Sequence, residues 1–166
     1  DSVVDEDGTA PLPISVAVTD TDGSETIRRI TIAGAPIGSV FSDGNQSVLC
    51  IGSAVDVTGW NLDDLTVSPA PNYDREFELN VRVTTRDSSG DTLTSSESAT
   101  VYVNAINDAP VVNTGGITIA EDQVATVLLQ AHELDSGDSV EAFRLDSLPE
   151  HGVLELNGVP VVQGQP

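Results

Sequence analysis

The chain has 166 residues, of which 39% are hydrophobic, and its 27 acidic residues against 6 lysines and arginines give a formal net charge of −21. This apolar content is enough to form a core and excludes a disordered acidic tail, while the length allows one domain of ordinary size and part of another. The charge argues against nucleic acid or an anionic membrane surface as a partner and favours cations. Charge alone leaves one alternative open, namely acidity that only keeps the protein soluble or suits a salty habitat.

Strand-forming runs separated by turn signals follow one another along the first hundred residues. The predicted strands are ISVAV (14–18), IRRITI (27–32), FELNVRVTT (77–85) and SATVYV (98–103). The last two alternate apolar and polar residues with a period of two, and a hairpin loop is predicted between them at 88–92. The segment 56–65 has room for one helical turn before a further strand. The bias towards valine and isoleucine and the lack of helical periodicity predict an all-β fold.

The second part of the chain repeats the first. Residues 5–25 resemble residues 120–140 in a pairing that matches Glu6 with Glu121, and further on Gly38 matches Gly152. A period of about 114 residues predicts tandem copies of one domain. We place the first copy at 1–108 and the first half of a second at 109–166. The rest of the second copy is expected to have been truncated or to follow an insertion.

Acidic residues recur in the loops of both copies. The loop DTDGSE carries Asp20 and Asp22, and ELDSGD carries Glu133 and Asp135 at the equivalent place. Such a loop supplies two carboxylates to one side of a turn, and Ca²⁺ takes six to eight oxygen ligands. Asp and Gly are also ordinary turn residues, but the recurrence in both copies favours a metal. Two further polar clusters are NYDRE (72–76) and VNAINDAP (103–110).

Taken together, these motifs resemble the cadherin-like and Ig-like tandem repeats of large bacterial adhesins, including those secreted with RTX-type tails, in which NDAP closes each repeat. The resemblance implies Greek-key Ig-like or cadherin-like β-sandwich domains in tandem, with the second copy incomplete. It also implies a non-catalytic structural extender at the bacterial surface, whose interdomain junctions bind Ca²⁺ and become rigid. The expected partners are calcium and neighbouring repeats of the same polypeptide, while other domains of the parent adhesin would contact a host or microbial surface.

The resemblance also implies a set of calcium ligands. Those expected at the junction between the two copies are Glu6, Asp74, Glu76, Asn104, Asp108, Glu133 and Asp135. Those expected to face a preceding domain are Asp20, Asp22 and Asp87. The linker begins with Asn104 and is one residue shorter than in cadherins, and Glu133 stands where an Asp is usual, so we expect fewer ions than the three of a cadherin junction.

Other classes of function have weaker support in the sequence. His132 and His151 lie in no nucleophile or zinc motif, so an enzyme is not expected. Cys50 is the single cysteine, which cannot form an intramolecular disulfide, and it is predicted to lie in the core. The main alternative is a glycan- or peptide-binding module near an adhesin tip, with Trp60 stacking on a sugar, although a lone Trp more often packs in a core.

No apolar run of membrane-spanning length and no signal peptide is present, so we expect a piece of a larger protein without membrane insertion.

Overall fold

The computed structural model describes residues 1–18, 22–113 and 115–163. The regular secondary structure of this part of the chain is almost entirely β-strand, and its helical content is one 3₁₀ turn, Leu62–Asp64, in the segment predicted to hold one. None of its helices is long and apolar enough to cross a membrane. The chain divides into two compact units, Asp1–Asn107 and Asp108–Pro166, called unit 1 and unit 2 below. The division falls one residue before the predicted boundary.

The described residues of unit 1 form two β-sheets. In chain order its strands are β1 (Ser2–Asp5), β2 (Ala10–Pro11), β3 (Thr26–Ala33), β4 (Val40–Ser42), β5 (Ser47–Leu49), β6 (Val55–Asp56), β7 (Thr66–Ser68), β8 (Phe77–Arg86) and β9 (Thr92–Asn104). One sheet has the order β1-β9-β8-β3-β6, and the other has the order β2-β7-β4-β5. All pairings are antiparallel except that of β1 with β9.

The core of unit 1 is built from both sheets. Ile32, Leu79 and Val101 of the five-stranded sheet belong to the same buried cluster as Phe41 and Val67 of the four-stranded sheet. Burial of aliphatic side chains at alternate strand positions is the main favourable term for such a core. The arrangement is consistent with a β-sandwich, and the predicted all-β class is confirmed.

The start of the chain is divided between the two sheets. β1 pairs in parallel with β9, with Asp5 opposite Asn104, whereas β2 pairs with β7. A tight turn joins β1 to β2, in which the N–H of Gly8 donates to the carbonyl of Asp5 at 2.9 Å and Asp7 has φ of 58°. Because β1 and β9 run in the same direction, this turn lies beside the end of β9, where the chain leaves unit 1.

The predicted strands at 27–32, 77–85 and 98–103 are confirmed as parts of β3, β8 and β9, and Asp87–Asp91 form the hairpin between the last two. The predicted strand at 14–18 is wrong. Its natural neighbour would be the chain preceding β7, because the N–H of Leu12 still donates to the carbonyl of Leu65 at 2.8 Å. Beyond that bond the neighbouring chain turns into the 3₁₀ segment, so no ladder can continue.

Unit 2, as far as the structure describes it, has four short strands. They are β10 (Val111–Asn113), β11 (Gln130–His132), β12 (Glu155–Leu156) and β13 (Val159–Pro160), and they form two antiparallel pairs, β10 with β11 and β12 with β13. None of its described residues is buried, and Val124 is 99% exposed. The burial that stabilises the fold is therefore concentrated in unit 1. That unit 2 is a partial copy of unit 1 stays a prediction.

Residues at matched positions of the two predicted copies have nearly the same positive φ. Asp7 and Asp122, which follow the paired glutamates, have φ of 58° and 62°. Gly38 and Gly152 have φ of 97° and 96°. Positive φ is rare for a residue other than glycine, so its occurrence at matched acidic positions shows that the two segments share a turn conformation.

Candidate functional site

Glu6 is a buried carboxylate at the end of unit 1 where the chain leaves β9. Its N–H donates to the carbonyl of Asn104 at 2.9 Å, and its Oε1 accepts from the N–H of Ile106. The residue is 6% exposed, and its Oε2 has no hydrogen-bond partner among the described residues. An ionised carboxylate that is buried with one oxygen uncompensated is costly, and such an atom calls for a ligand or a water.

The linker asparagine predicted as a ligand already has a protein partner. The Nδ2 of Asn104 donates to Oδ1 of Asp5 at 3.1 Å, across the parallel pair of β1 and β9. Its carbonyl is the acceptor for Glu6. Asn104 therefore holds the end of β1 against the end of β9, and in this way it positions Glu6.

The segment NYDRE lies against the same turn. The N–H of Asn72 donates to Oδ1 of Asp7 at 3.0 Å, which ties this segment to the residue after Glu6. Asp74 is half-buried and lies 3.7 Å from Nε of Arg75, while Glu76 is exposed. Asp7 was not predicted as a functional residue. Its place between Glu6 and the glycine of the turn is the sequence signal that could have singled it out.

Asp87 and Asp22 lie in loops of unit 1 and are engaged locally. Oδ1 of Asp87 accepts from the Ser89 hydroxyl at 2.7 Å and from the N–H of Gly90 at 2.8 Å, and the Ser89 hydroxyl is the main cause of its lowered pKa. The side chain and backbone of Ser24 lower the pKa of Asp22, and the charge of Asp87 opposes this shift. This repulsion between like charges indicates that the two predicted residues lie near each other. Asp20, the third member predicted for this set, lies outside the described residues.

Unit 2 brings Asp135 to the first residue of the unit. The antiparallel pair of β10 and β11 places Val111 opposite His132, so the same register continued by three residues sets Asp108 opposite Asp135. The N–H of Asp108 donates to Oδ2 of Asp135 at 2.7 Å. Glu133 is half-buried between the end of β11 and Asp135. The Glu-x-Asp motif therefore folds back onto the linker.

Taken alone, neither unit forms a cluster of three acidic, histidine or cysteine side chains among its described residues. Within unit 1 or within unit 2, no three ligand atoms from described His, Cys, Asp or Glu residues come within 4.8 Å of one another. A Ca²⁺ site needs more ligands than one such carboxylate provides. Within unit 1 the Glu6 carboxylate accepts from the backbone N–H of Ile106, and within unit 2 the Asp135 carboxylate accepts from that of Asp108.

Asp43 was not predicted as a functional residue, but its pKa lies well below its usual value. Asp43 is 3% exposed, and backbone N–H groups of Asn61, Gln46 and Asn45 at 3.0, 2.9 and 3.0 Å lower its pKa to about 2. The hydrogen bonds that its carboxylate accepts come from its own loop between β4 and β5 and from the loop at Asn61. This is the pattern of a structural acceptor, and the turn signal in SDGN was the available clue.

The residues weighed for other functions occupy separate places. Cys50 is buried, as predicted, and its thiol donates to the carbonyl of Ala35 at 3.4 Å. Trp60 is half-buried and packs against the core of unit 1. His132 and His151 are exposed in unit 2.

Comparisons of the chain with protein-family models, with curated proteins and with solved structures found no match.

Proposed function

We propose that this protein is a non-catalytic extender module of a secreted bacterial adhesin, built from cadherin-like or Ig-like Greek-key sandwich domains in tandem. In this proposal Ca²⁺ binds at the junction between the domains and makes the chain rigid. The module would work outside the cell, joined to neighbouring repeats of the same polypeptide.

The observation that carries the proposal is the uncompensated oxygen of Glu6. Oε1 already accepts a hydrogen bond from the linker, so Oε2 is the atom left for a ligand. A cation would offset the cost of burying this carboxylate, because it would give the unpartnered oxygen a ligand of opposite charge. The formal net charge of −21 provides the same preference for cations over the whole chain.

Chain connectivity brings the second unit into the proposal. Glu6 holds the N–H of Ile106, and Asp135 holds the N–H of Asp108. These two amides are two residues apart, so even a fully extended backbone separates them by only about 7 Å. Glu6, Asp108 and Asp135 are therefore the three carboxylates that we propose to share an ion, with linker carbonyls and water completing its coordination.

The choice of Ca²⁺ follows from the ligand chemistry. The proposed ligands are all oxygens, from carboxylates and backbone carbonyls, and no cysteine or histidine is among them. Zn²⁺ prefers sulfur and nitrogen ligands, and Mg²⁺ requires a nearly ideal octahedron and keeps much of its water. Ca²⁺ accepts six to eight oxygens in irregular geometry, which suits ligands from a turn, a linker and a loop.

The proposed consequence is mechanical. Without metal, carboxylates on both sides of the linker repel one another and the junction flexes. With Ca²⁺ bound, the same groups attract a common ion and fix the angle between the units. Binding to the folded junction alone would also stabilise the fold by about 2.7 kcal/mol at a hundredfold excess of Ca²⁺ over its dissociation constant.

Calorimetric titration of the metal-free chain with CaCl₂ tests this proposal. We expect saturable binding that Glu6→Gln and Asp135→Asn each weaken at least about tenfold, because each change removes a charged ligand. Glu141→Gln and Asp122→Asn are matched controls, since both residues are exposed and asparagine tolerates the positive φ of Asp122. Absence of binding, or equal binding by all four variants, would overturn the site.

A further inference from the structure

The segment 13–18 has the alternating side-chain pattern of a strand, but no strand among the described residues pairs with it. Ile14, Val16 and Val18 are half-buried, while the residues between them are exposed. The N–H of Ile14 donates locally to the carbonyl of Leu12. The backbone from Ser15 to Val18 makes no hydrogen bond with another described residue. Backbone donors and acceptors without partners form an open edge to which another strand can pair.

A groove of about 630 Å³ lies beside this segment. One wall is the segment itself. The opposite side is formed by the second half of β8 and the first half of β9, which are joined by the hairpin. These strands have ten and thirteen residues, whereas the strands of the facing sheet have two or three. The long strands therefore extend past the cover that the short ones provide. Val81, Val83 and Leu93 form an apolar floor, and Leu93 is 70% exposed.

The charges that line the groove have one sign. Glu25 and Glu97 are its two charged lining residues. Glu25 is half-buried and Glu97 is exposed. A ligand with basic residues would be attracted by both carboxylates, whereas a second copy of this chain would bring a further charge of −21 to the same surface.

We propose that this groove binds an extended peptide that pairs with the backbone of residues 15–18, places apolar side chains on Val81, Val83 and Leu93, and sets basic residues against Glu25 and Glu97. Main-chain hydrogen bonds would supply affinity, and alternate side chains would supply specificity, as in other cases of β-strand addition. The inference is independent of the proposed calcium site, because it uses none of the same residues.

A defined peptide can test the groove in the full chain. The probe is an acetylated and amidated peptide, Lys-Val-Thr-Val-Thr-Val-Lys, titrated against ¹⁵N-labelled protein and followed by amide chemical shifts. We expect saturable shifts at residues 15–18 and 93–99. The same peptide with glutamates in place of lysines, and one with N-methylated valines, should bind at least about tenfold more weakly, because they lose charge attraction and backbone donors respectively.

Variants locate the binding surface. Leu93→Asp should weaken binding of the lysine peptide at least about tenfold, whereas Ile51→Asp, at an equally exposed position elsewhere in unit 1, should leave it unchanged. Both residues are largely exposed, so both variants should fold. Lack of saturable shifts, or equal effects of the two variants, would overturn the proposal. Sedimentation of the chain without peptide is a further test. If the chain dimerises and Leu93→Asp abolishes the dimer, the groove binds a second copy and the proposal is overturned.

Discussion

Individual acidic residues in this chain have different tasks despite their shared charge. Asp43 is buried and accepts backbone hydrogen bonds from two loops, so it acts as a connector inside unit 1. Glu6 is buried to a similar degree, but one of its oxygens has no hydrogen-bond partner among the described residues. The contrast decides which of them is a candidate ligand, because a carboxylate whose lone pairs are already used has little to offer a metal.

The depressed pKa of Asp43 predicts a specific acid sensitivity. Its pKa is about 2 in the folded chain against 3.8 for an ordinary Asp, so its stabilising contribution is complete above pH 3.8 and is lost as the pH falls towards 2. We expect Asp43→Asn to lower the melting temperature at pH 6 by several degrees, and the difference from wild type to shrink between pH 4 and pH 2.

Thermal melts over that pH range check the prediction, with Asp63→Asn as a control. Asp63 is exposed, and its side chain accepts none of the backbone hydrogen bonds found at Asp43. A difference between wild type and Asp43→Asn that is independent of pH would show that the ionised form of Asp43 is not what stabilises the loops.

The end of β3 depends on a close approach between two backbone segments. Gly34 follows β3 with φ of 101°, and a Cβ atom there would lie 2.1 Å from the carbonyl oxygen of Glu78 in β8. The glycine therefore lets the chain leave β3 while that strand is still packed beside β8. The hydrogen-bonded pairing of β3 with β8 forms the centre of the five-stranded sheet.

Gly34→Ala is expected to destabilise unit 1 by more than about 2 kcal/mol, because the strained φ and the clash with Glu78 act together. Gly59→Ala is the matched control. It has φ of 79°, but nothing lies within 4 Å of the added atom, so we expect a loss of only about 1 kcal/mol. Urea denaturation of both variants measures the difference. Equal losses would mean that the contact with Glu78 relaxes freely and that only φ matters.

At the scale of the whole molecule, the two units differ in how much they bury. Unit 1 has a core shared by two sheets, whereas no described residue of unit 2 is buried. Apolar burial contributes most of the favourable free energy of folding. Cooperative unfolding of the chain should therefore report mainly on unit 1. A ligand bound at the linker would raise the stability of this unit through its contact with Glu6.

The proposed role of calcium makes a prediction at this scale. Small-angle scattering of the chain in chelator should describe a broad distribution of particle lengths, and millimolar CaCl₂ should narrow it towards longer particles. The physical reason is that an ion held by both units restricts the linker. The Glu6→Gln variant is the control, since it should need at least about tenfold more CaCl₂ than the wild type for the same change in scattering. A wild-type curve that does not respond to Ca²⁺ would remove the stiffening role even if an ion binds.

Periodicity was the most informative part of the sequence. It correctly located β3, β8 and β9, because side chains alternate between the core and solvent along any paired strand. It also explains the partial success at 14–18, where the alternation is real and the strand is absent. Alternation reports which side chains face the core, but a strand also requires a neighbour, and here the 3₁₀ turn at Leu62–Asp64 removes it.

The sequence by itself determined the all-β class, the hairpin at 88–92, the buried position of Cys50 and the presence of repeated acidic loops, since these follow from local pattern and composition. Only the tertiary structure decided which acidic residues lie together. The parallel pairing of β1 with β9 carries Glu6 to the linker, and the pairing of β10 with β11 carries Asp135 to Asp108. Both pairings depend on contacts between residues that are far apart in the chain, and a local sequence pattern does not specify such contacts.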